Sequence, residues 1–109
     1  MKVLFVLCAP QRPSFGLTLA ETIKERLLAQ GHELAWHDLY EEGFNPVMDP
    51  GELARGGSLD ELVQAHARDL EACDGLVIVH PDWWGQSPAI LKGWLDRVFR
   101  QGIAYELEG

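Results

Sequence analysis

Two runs with no polar residue inside them, Val3-Leu4-Phe5-Val6-Leu7-Cys8 and Leu76-Val77-Ile78-Val79, constrain this chain more than any other feature. A strand with one wet face alternates apolar and polar residues. A run that is apolar at every position needs cover on both faces, which a parallel sheet between helix layers provides. Each run is followed by a turn-rich loop and then by helix-length sequence. After 3–8 comes Ala9-Pro10-Gln11-Arg12-Pro13-Ser14, then a helix predicted over 15–30. Leu19, Ile23 and Leu27 share one face of it, with Ala20 and Leu28 beside them, while Glu21, Lys24, Glu25 and Arg26 point away. Gly31 stands where a helix C-terminal glycine belongs. A second strand is expected over 33–38, parallel to the first because a helix-length crossover joins them.

Residues 39–57, which hold Pro46, Pro50, Gly51, Gly56 and Gly57, read as loop. Ser58-Leu59-Asp60-Glu61 reads as a capping box that opens a second helix, with Leu59, Leu62, Val63, His66, Leu70 and Cys73 as its apolar stripe. The third strand, 76–80, is expected to be buried. After the loop from Pro81 to Ser87, Pro88 falls at a first helical position. The third helix should bury Ile90, Leu91, Trp94, Leu95, Val98 and Phe99, and Asp96 is spaced to pair with Arg100. The whole reads βα-βα-βα, an α/β sandwich in one domain over 1–109. In such sheets ligands bind beyond the carboxyl ends of the strands where the strand order reverses, and the loops at 9–14 and 81–87 both lie there.

Charge narrows the function. Nine Lys and Arg against 17 Asp and Glu give −8, which argues against non-specific nucleic-acid or anionic-membrane binding. A phosphate held by backbone amides at a helix start needs no such basic face. No apolar run approaches the roughly 18 residues of a membrane span. The start of the chain is too short for a signal peptide, so Cys8 and Cys73 are expected to be reduced and cytoplasmic.

The first loop offers Ser14, backbone amides and a helix start, a set that suits either a phosphate or a plain capped turn. Neither a Walker-type nor a G-x-G-x-x-G motif is present. Arg12 comes four residues after Cys8, which breaks the C-x5-R spacing of a phosphatase, so Cys8 reads as a buried structural thiol. The four histidines show no metal spacing, no metal is expected, and His66 reads as a core residue. In the second loop, His80-Pro81-Asp82-Trp83-Trp84-Gly85-Gln86-Ser87-Pro88, two adjacent tryptophans stand at a strand's carboxyl end. They suit either the flanks of a flat heterocycle or a hydrophobic plug.

The stretch Pro81-Asp82-Trp83-Trp84-Gly85-Gln86-Ser87-Pro88-Ala89-Ile90-Leu91-Lys92-Gly93-Trp94-Leu95-Asp96-Arg97-Val98-Phe99, followed by Gly102-Ile103-Ala104-Tyr105, resembles the flavodoxin-like NAD(P)H dehydrogenase (quinone) family. Asp38-Leu39-Tyr40, Phe44-Asn45-Pro46 and Pro13-Ser14-Phe15 extend the likeness over the chain. The resemblance implies a flavodoxin-like three-layer sandwich with a parallel sheet, here limited to about three strands in the order 2-1-3. It implies FMN or FAD as cofactor, NAD(P)H as donor and a quinone-like acceptor reduced by two-electron hydride transfer. It places Ser14, Phe15 and Gly16 at the phosphate or ribityl end, and Pro81, Asp82, Trp83 and Trp84 beside the isoalloxazine. No catalytic residue is assigned. Ala9 and Gly16 stand where the family often has His and Asn. Family members continue past this length, so the chain is expected to correspond to the N-terminal part of the domain, as either a truncated product or a natural short form. On that reading the third strand becomes an open apolar edge, and a homodimer is expected. The other reading is a non-catalytic interaction module that associates through that edge.

Overall fold

A computed structural model describes residues 1–55, 57–82 and 84–99. The elements run β1 (Lys2–Leu7), α1 (Phe15–Ala29), β2 (Glu33–Asp38), α2 (Leu39–Glu42), α3 (Pro50–Arg55), α4 (Glu61–Ala72), β3 (Gly75–Val79) and α5 (Ala89–Arg97). Three strands form a parallel sheet in the order β2-β1-β3, as the resemblance implies. In register, Leu7 stands beside Asp38 on one side and Val79 on the other. The Cys8 amide continues the ladder by donating to the Val79 carbonyl at 2.8 Å.

The side-chain alternation of β1 divides the core. Leu4, Val6 and Cys8 join a cluster with Val63, Leu70, Leu91, Trp94 and Val98, while Phe5, Leu7 and Ala9 join one with Ala20. The connection from β1 to β2 runs to one side of β1, and that from β2 to β3 crosses back to the other. Right-handed crossovers in opposite directions place α1 on one face and α4 on the other, giving three layers. Among the described residues no helix is long and apolar enough to cross a membrane.

Several expectations shift. The 39–57 segment holds two short helices, too brief to show a periodicity. Asp38 caps α2 by accepting from the Glu41 amide at 3.3 Å, and Gly43 ends it in the left-handed region at φ 64°. Asp60, not Ser58, caps α4, accepting from the Leu62 amide at 2.9 Å. The Ser58 hydroxyl instead accepts from the Asp60 amide and donates to Glu52 at 3.0 Å, so Leu59 falls outside the helix and is exposed. Pro88 is the N-cap residue of α5 rather than its first helical residue. β3 is only half-buried and Leu76 is exposed, because β1 is its one neighbour among the described residues. Leu19, Leu28 and Phe99 are exposed, and Lys24 lies over the Trp36 ring at 4.6 Å instead of pointing away. Asp96 pairs with Lys92 one turn earlier, and its expected partner Arg100 lies outside the described residues.

Gly93 and Arg97 fix α5 in place. A Cβ on Gly93 would lie 2.2 Å from Pro46 Cβ and 2.3 Å from its Cα and carbonyl oxygen, so this contact requires glycine. Arg97 is buried, contrary to the usual rule for charge. Its guanidinium donates to Glu52 at 2.5 and 3.1 Å and to the Asn45 carbonyl at 2.7 Å. That pairing holds the Glu52 carboxyl below its ordinary range, the hydrogen bond from Arg97 being the main cause.

Candidate functional site

A cleft of about 410 Å³ opens at the carboxyl ends of β1 and β3, the junction where the crossovers diverge. Its walls are the loop after β1, the first turn of α1 and the end of β3 with the residues after it. The β1–α1 turn is short and capped by Ser14, whose hydroxyl accepts from the Leu17 amide at 3.1 Å while its carbonyl accepts from Thr18. Phe15 and Gly16 occupy the first two helical positions, where backbone amides have no intrahelical acceptor. Those amides and the helix start make one end of the cleft receptive to an anion. The Ser14 hydroxyl already serves as the cap.

The remaining wall is largely apolar: Ala9, Phe15, Leu19, Val79 and Pro81. Phe15 is 82% exposed and Leu19 is exposed, although the apolar stripe of α1 would have buried Leu19. Cys8 also lines the cleft. Burial, with the nearby Asp38 carboxylate adding to it, pushes its thiol up to about 12. It is therefore a thiol and no nucleophile near neutral pH, consistent with the structural role read from its spacing. His80 lines the rim, and its Nδ1 donates to the Pro81 carbonyl at 2.7 Å.

Of the residues expected to border a cofactor, Ser14, Phe15, Gly16 and Pro81 come together around this cleft. Asp82 and Trp84 lie on the same loop, exposed beyond its wall, and Trp83 lies outside the described residues. Trp84 at φ 56° and Gly85 at φ 76° make two successive left-handed residues. That turn leaves the Trp84 ring fully exposed, which does not fit a buried plug.

A second cluster was not legible in the sequence. His37 of β2 sits between Glu42 at 2.7 Å and Asp69 at 2.6 Å, and its ring stacks on His66 with centroids 3.7 Å apart. His66 is fully buried, as its place on the apolar stripe predicts. His37, Glu42 and His66 bring ligand-type atoms within 4.8 Å of one another, a span that suits a metal. The hydrogen bonds decide how the cluster is used. The indole of Trp94 can only donate, and it does so to His66 Nδ1 at 3.0 Å. The ring hydrogen therefore sits on Nε2 and is donated to Glu42 at 3.1 Å, which leaves no lone pair there for an ion.

Three parallel strands between helix layers, with an anion-receptive helix start facing an apolar wall across the switch point, define the class: a parallel α/β protein with a ligand cleft at the carboxyl ends of its strands. The particular family follows from comparison. The chain belongs to the flavodoxin-like fold family, whose model matches residues 1–109. It is 35% identical to the uncharacterized NAD(P)H oxidoreductase YcaK of Escherichia coli over 95% of this chain and 55% of that one. It is 31% identical to NAD(P)H dehydrogenase [quinone] 1 of Rattus norvegicus over 95% of this chain and 45% of that one. Among solved structures it resembles an NAD(P)H:quinone oxidoreductase from Methanothermobacter marburgensis, with TM-score 0.86 and 34% identity over all of this chain and 58% of that one. The chain thus spans about half the length of the curated relatives it matches.

Proposed function

We propose that this chain is the flavin-binding part of an NAD(P)H-dependent oxidoreductase that reduces quinone-like acceptors by two electrons. The observation that carries the reading is a cleft that joins the free amides of Phe15 and Gly16 at the α1 start to an apolar wall of Ala9, Phe15, Leu19, Val79 and Pro81. Its volume lies within the roughly 300–1,000 Å³ of small-molecule sites. This suits a molecule with a phosphate and a flat ring system, and the relatives above carry the names of an NAD(P)H oxidoreductase and an NAD(P)H dehydrogenase.

Bound FMN or FAD would supply the hydride chemistry. The chain's own residues bind and orient it. The α1 start receives the phosphate, Ser14 keeps that first turn capped, and Pro81 borders the ring, with the exposed Asp82 and Trp84 on the loop beside it. The apolar wall excludes water from the flat end. We infer a cytoplasmic setting, in keeping with two free cysteines, and a homodimer formed at the β3 edge.

Titration of the purified chain with FMN and FAD, followed by flavin fluorescence, tests binding. NADH and NADPH oxidation with a menadione-type acceptor tests turnover. Quenching with turnover is expected. Absence of quenching removes the flavin reading. Quenching without turnover, even at saturating flavin, favours the non-catalytic module that pairs through β3.

A further inference from the structure

The loop that walls the cleft has little backbone of its own to hold it. Pro10 and Pro13 carry no N–H. Among the described residues, the one hydrogen bond made by residues 9–13 is that from the Arg12 guanidinium to Asp38. Its acceptor is well anchored. Asp38 ends β2 in register with Leu7, its carboxylate is buried, and its other oxygen caps α2 through the Glu41 amide. The second Arg12 terminal nitrogen lies 3.9 Å from Glu41. A guanidinium spent on a buried carboxylate contributes geometry to the neighbouring cleft rather than free charge.

We propose that Arg12 is a positioning residue that, by bridging to Asp38, holds the 9–14 loop and the start of α1 in the conformation that receives the phosphate end of the cofactor. The proposal rests on the flavin reading of the cleft. Without the bridge, the loop samples other conformations, and apparent affinity falls by the fraction of time the competent one is occupied. An occupancy of about one tenth gives about a tenfold loss. The loss should weigh more on the phosphate than on the ring, because the phosphate is received by the α1 start alone, whereas the apolar wall is shared between Ala9, Phe15 and Leu19 on that side and Val79 and Pro81 of β3 and the loop after it.

The test compares the full chain with Arg12→Ala and Arg12→Lys, using FMN and riboflavin as probes and amide hydrogen exchange of the flavin-free proteins. Arg12→Ala should weaken FMN about tenfold and riboflavin distinctly less, with Arg12→Lys between. Exchange in Arg12→Ala should quicken at the Leu17 and Thr18 amides, which donate to the Ser14 hydroxyl and carbonyl, and stay unchanged in the strands. FMN affinity within twofold of the parent overturns the proposal. So does an equal loss of FMN and riboflavin accompanied by a lower melting temperature, which marks a general structural role. If the parent binds neither probe, the flavin reading fails and exchange alone decides. Faster exchange confined to Leu17 and Thr18 sustains the positioning role, and unchanged exchange overturns it.

Discussion

Two tryptophans ten residues apart do opposite work. Trp84 is fully exposed in a left-handed turn beside the cleft, whereas Trp94 is fully buried and donates to His66. An aromatic contact is worth roughly 0.5–1.5 kcal/mol beyond area burial, so Trp84→Ala should weaken flavin binding about two- to twelvefold. Its melting temperature should stay level. Trp94→Ala should lower unfolding free energy by about 3–5 kcal/mol, since it empties a core site and leaves His66 Nδ1 without its donor. A Trp84→Ala protein that melts early and still binds flavin normally would make that ring a packing element. His66 carries a pH signature. Burial pushes its imidazole below the ordinary 6.5, with the stacked His37 acting in the same direction. Below about pH 6.5 the unfolded chain takes up a proton that the folded chain resists, so folding stability falls with pH. Urea unfolding at several pH values between 7.5 and 5 should show that slope, and His66→Gln should flatten it.

Among the elements, α5 is the most tightly specified. Gly93→Ala brings a methyl into the backbone of Pro46, which cannot move aside as a flexible side chain would. Overpacking of about 1–3 kcal/mol should outweigh the helix-propensity gain of about 1 kcal/mol. A lower urea midpoint with retained helical circular dichroism is the expected result, and equal or higher stability would show that the 44–46 segment yields. Arg97→Met strands the buried Glu52 carboxylate and should lower unfolding free energy by about 3–5 kcal/mol. The double change Arg97→Met with Glu52→Leu should recover much of it. The same pair sets acid behaviour. Glu52 is held below its ordinary value, so its contribution is present above about pH 4.5 and is lost as pH falls through the folded value. That acid limb should shrink in the double variant.

At the scale of the molecule, β3 presents one free side among the described residues, and it carries Leu76 exposed with no charge between Gly75 and Val79. An apolar strand with an unpaired side favours pairing with another chain. The opposing −8 charge is screened over about 8 Å at physiological salt. Light scattering at two micromolar concentrations should give twice the 12.2 kDa chain mass, with little dependence on salt. A mass of one chain at both concentrations would mean that the strand is already covered.

What the sequence by itself determined was local in origin. The strand runs and the buried Cys8 at the end of the first were legible because an unbroken apolar run marks a strand covered on both faces, and the helix predicted over 15–30 and the buried His66 because a helix repeats its apolar face at fixed intervals. α2 and α3 escaped because they are too short to show a period, and the α4 cap was misplaced because Ser58 and Asp60 carry equivalent oxygens two residues apart. Four meetings were decided only by tertiary structure. Arg12 reaches Asp38 across 26 positions, His66 meets Trp94 across 28, Arg97 meets Glu52 across 45, and Gly93 touches Pro46. Such partners carry no spacing of their own. They become neighbours once the β2-β1-β3 order and right-handed crossovers fix which helix covers which face, and that same arrangement joins the cleft's free amides to its apolar wall.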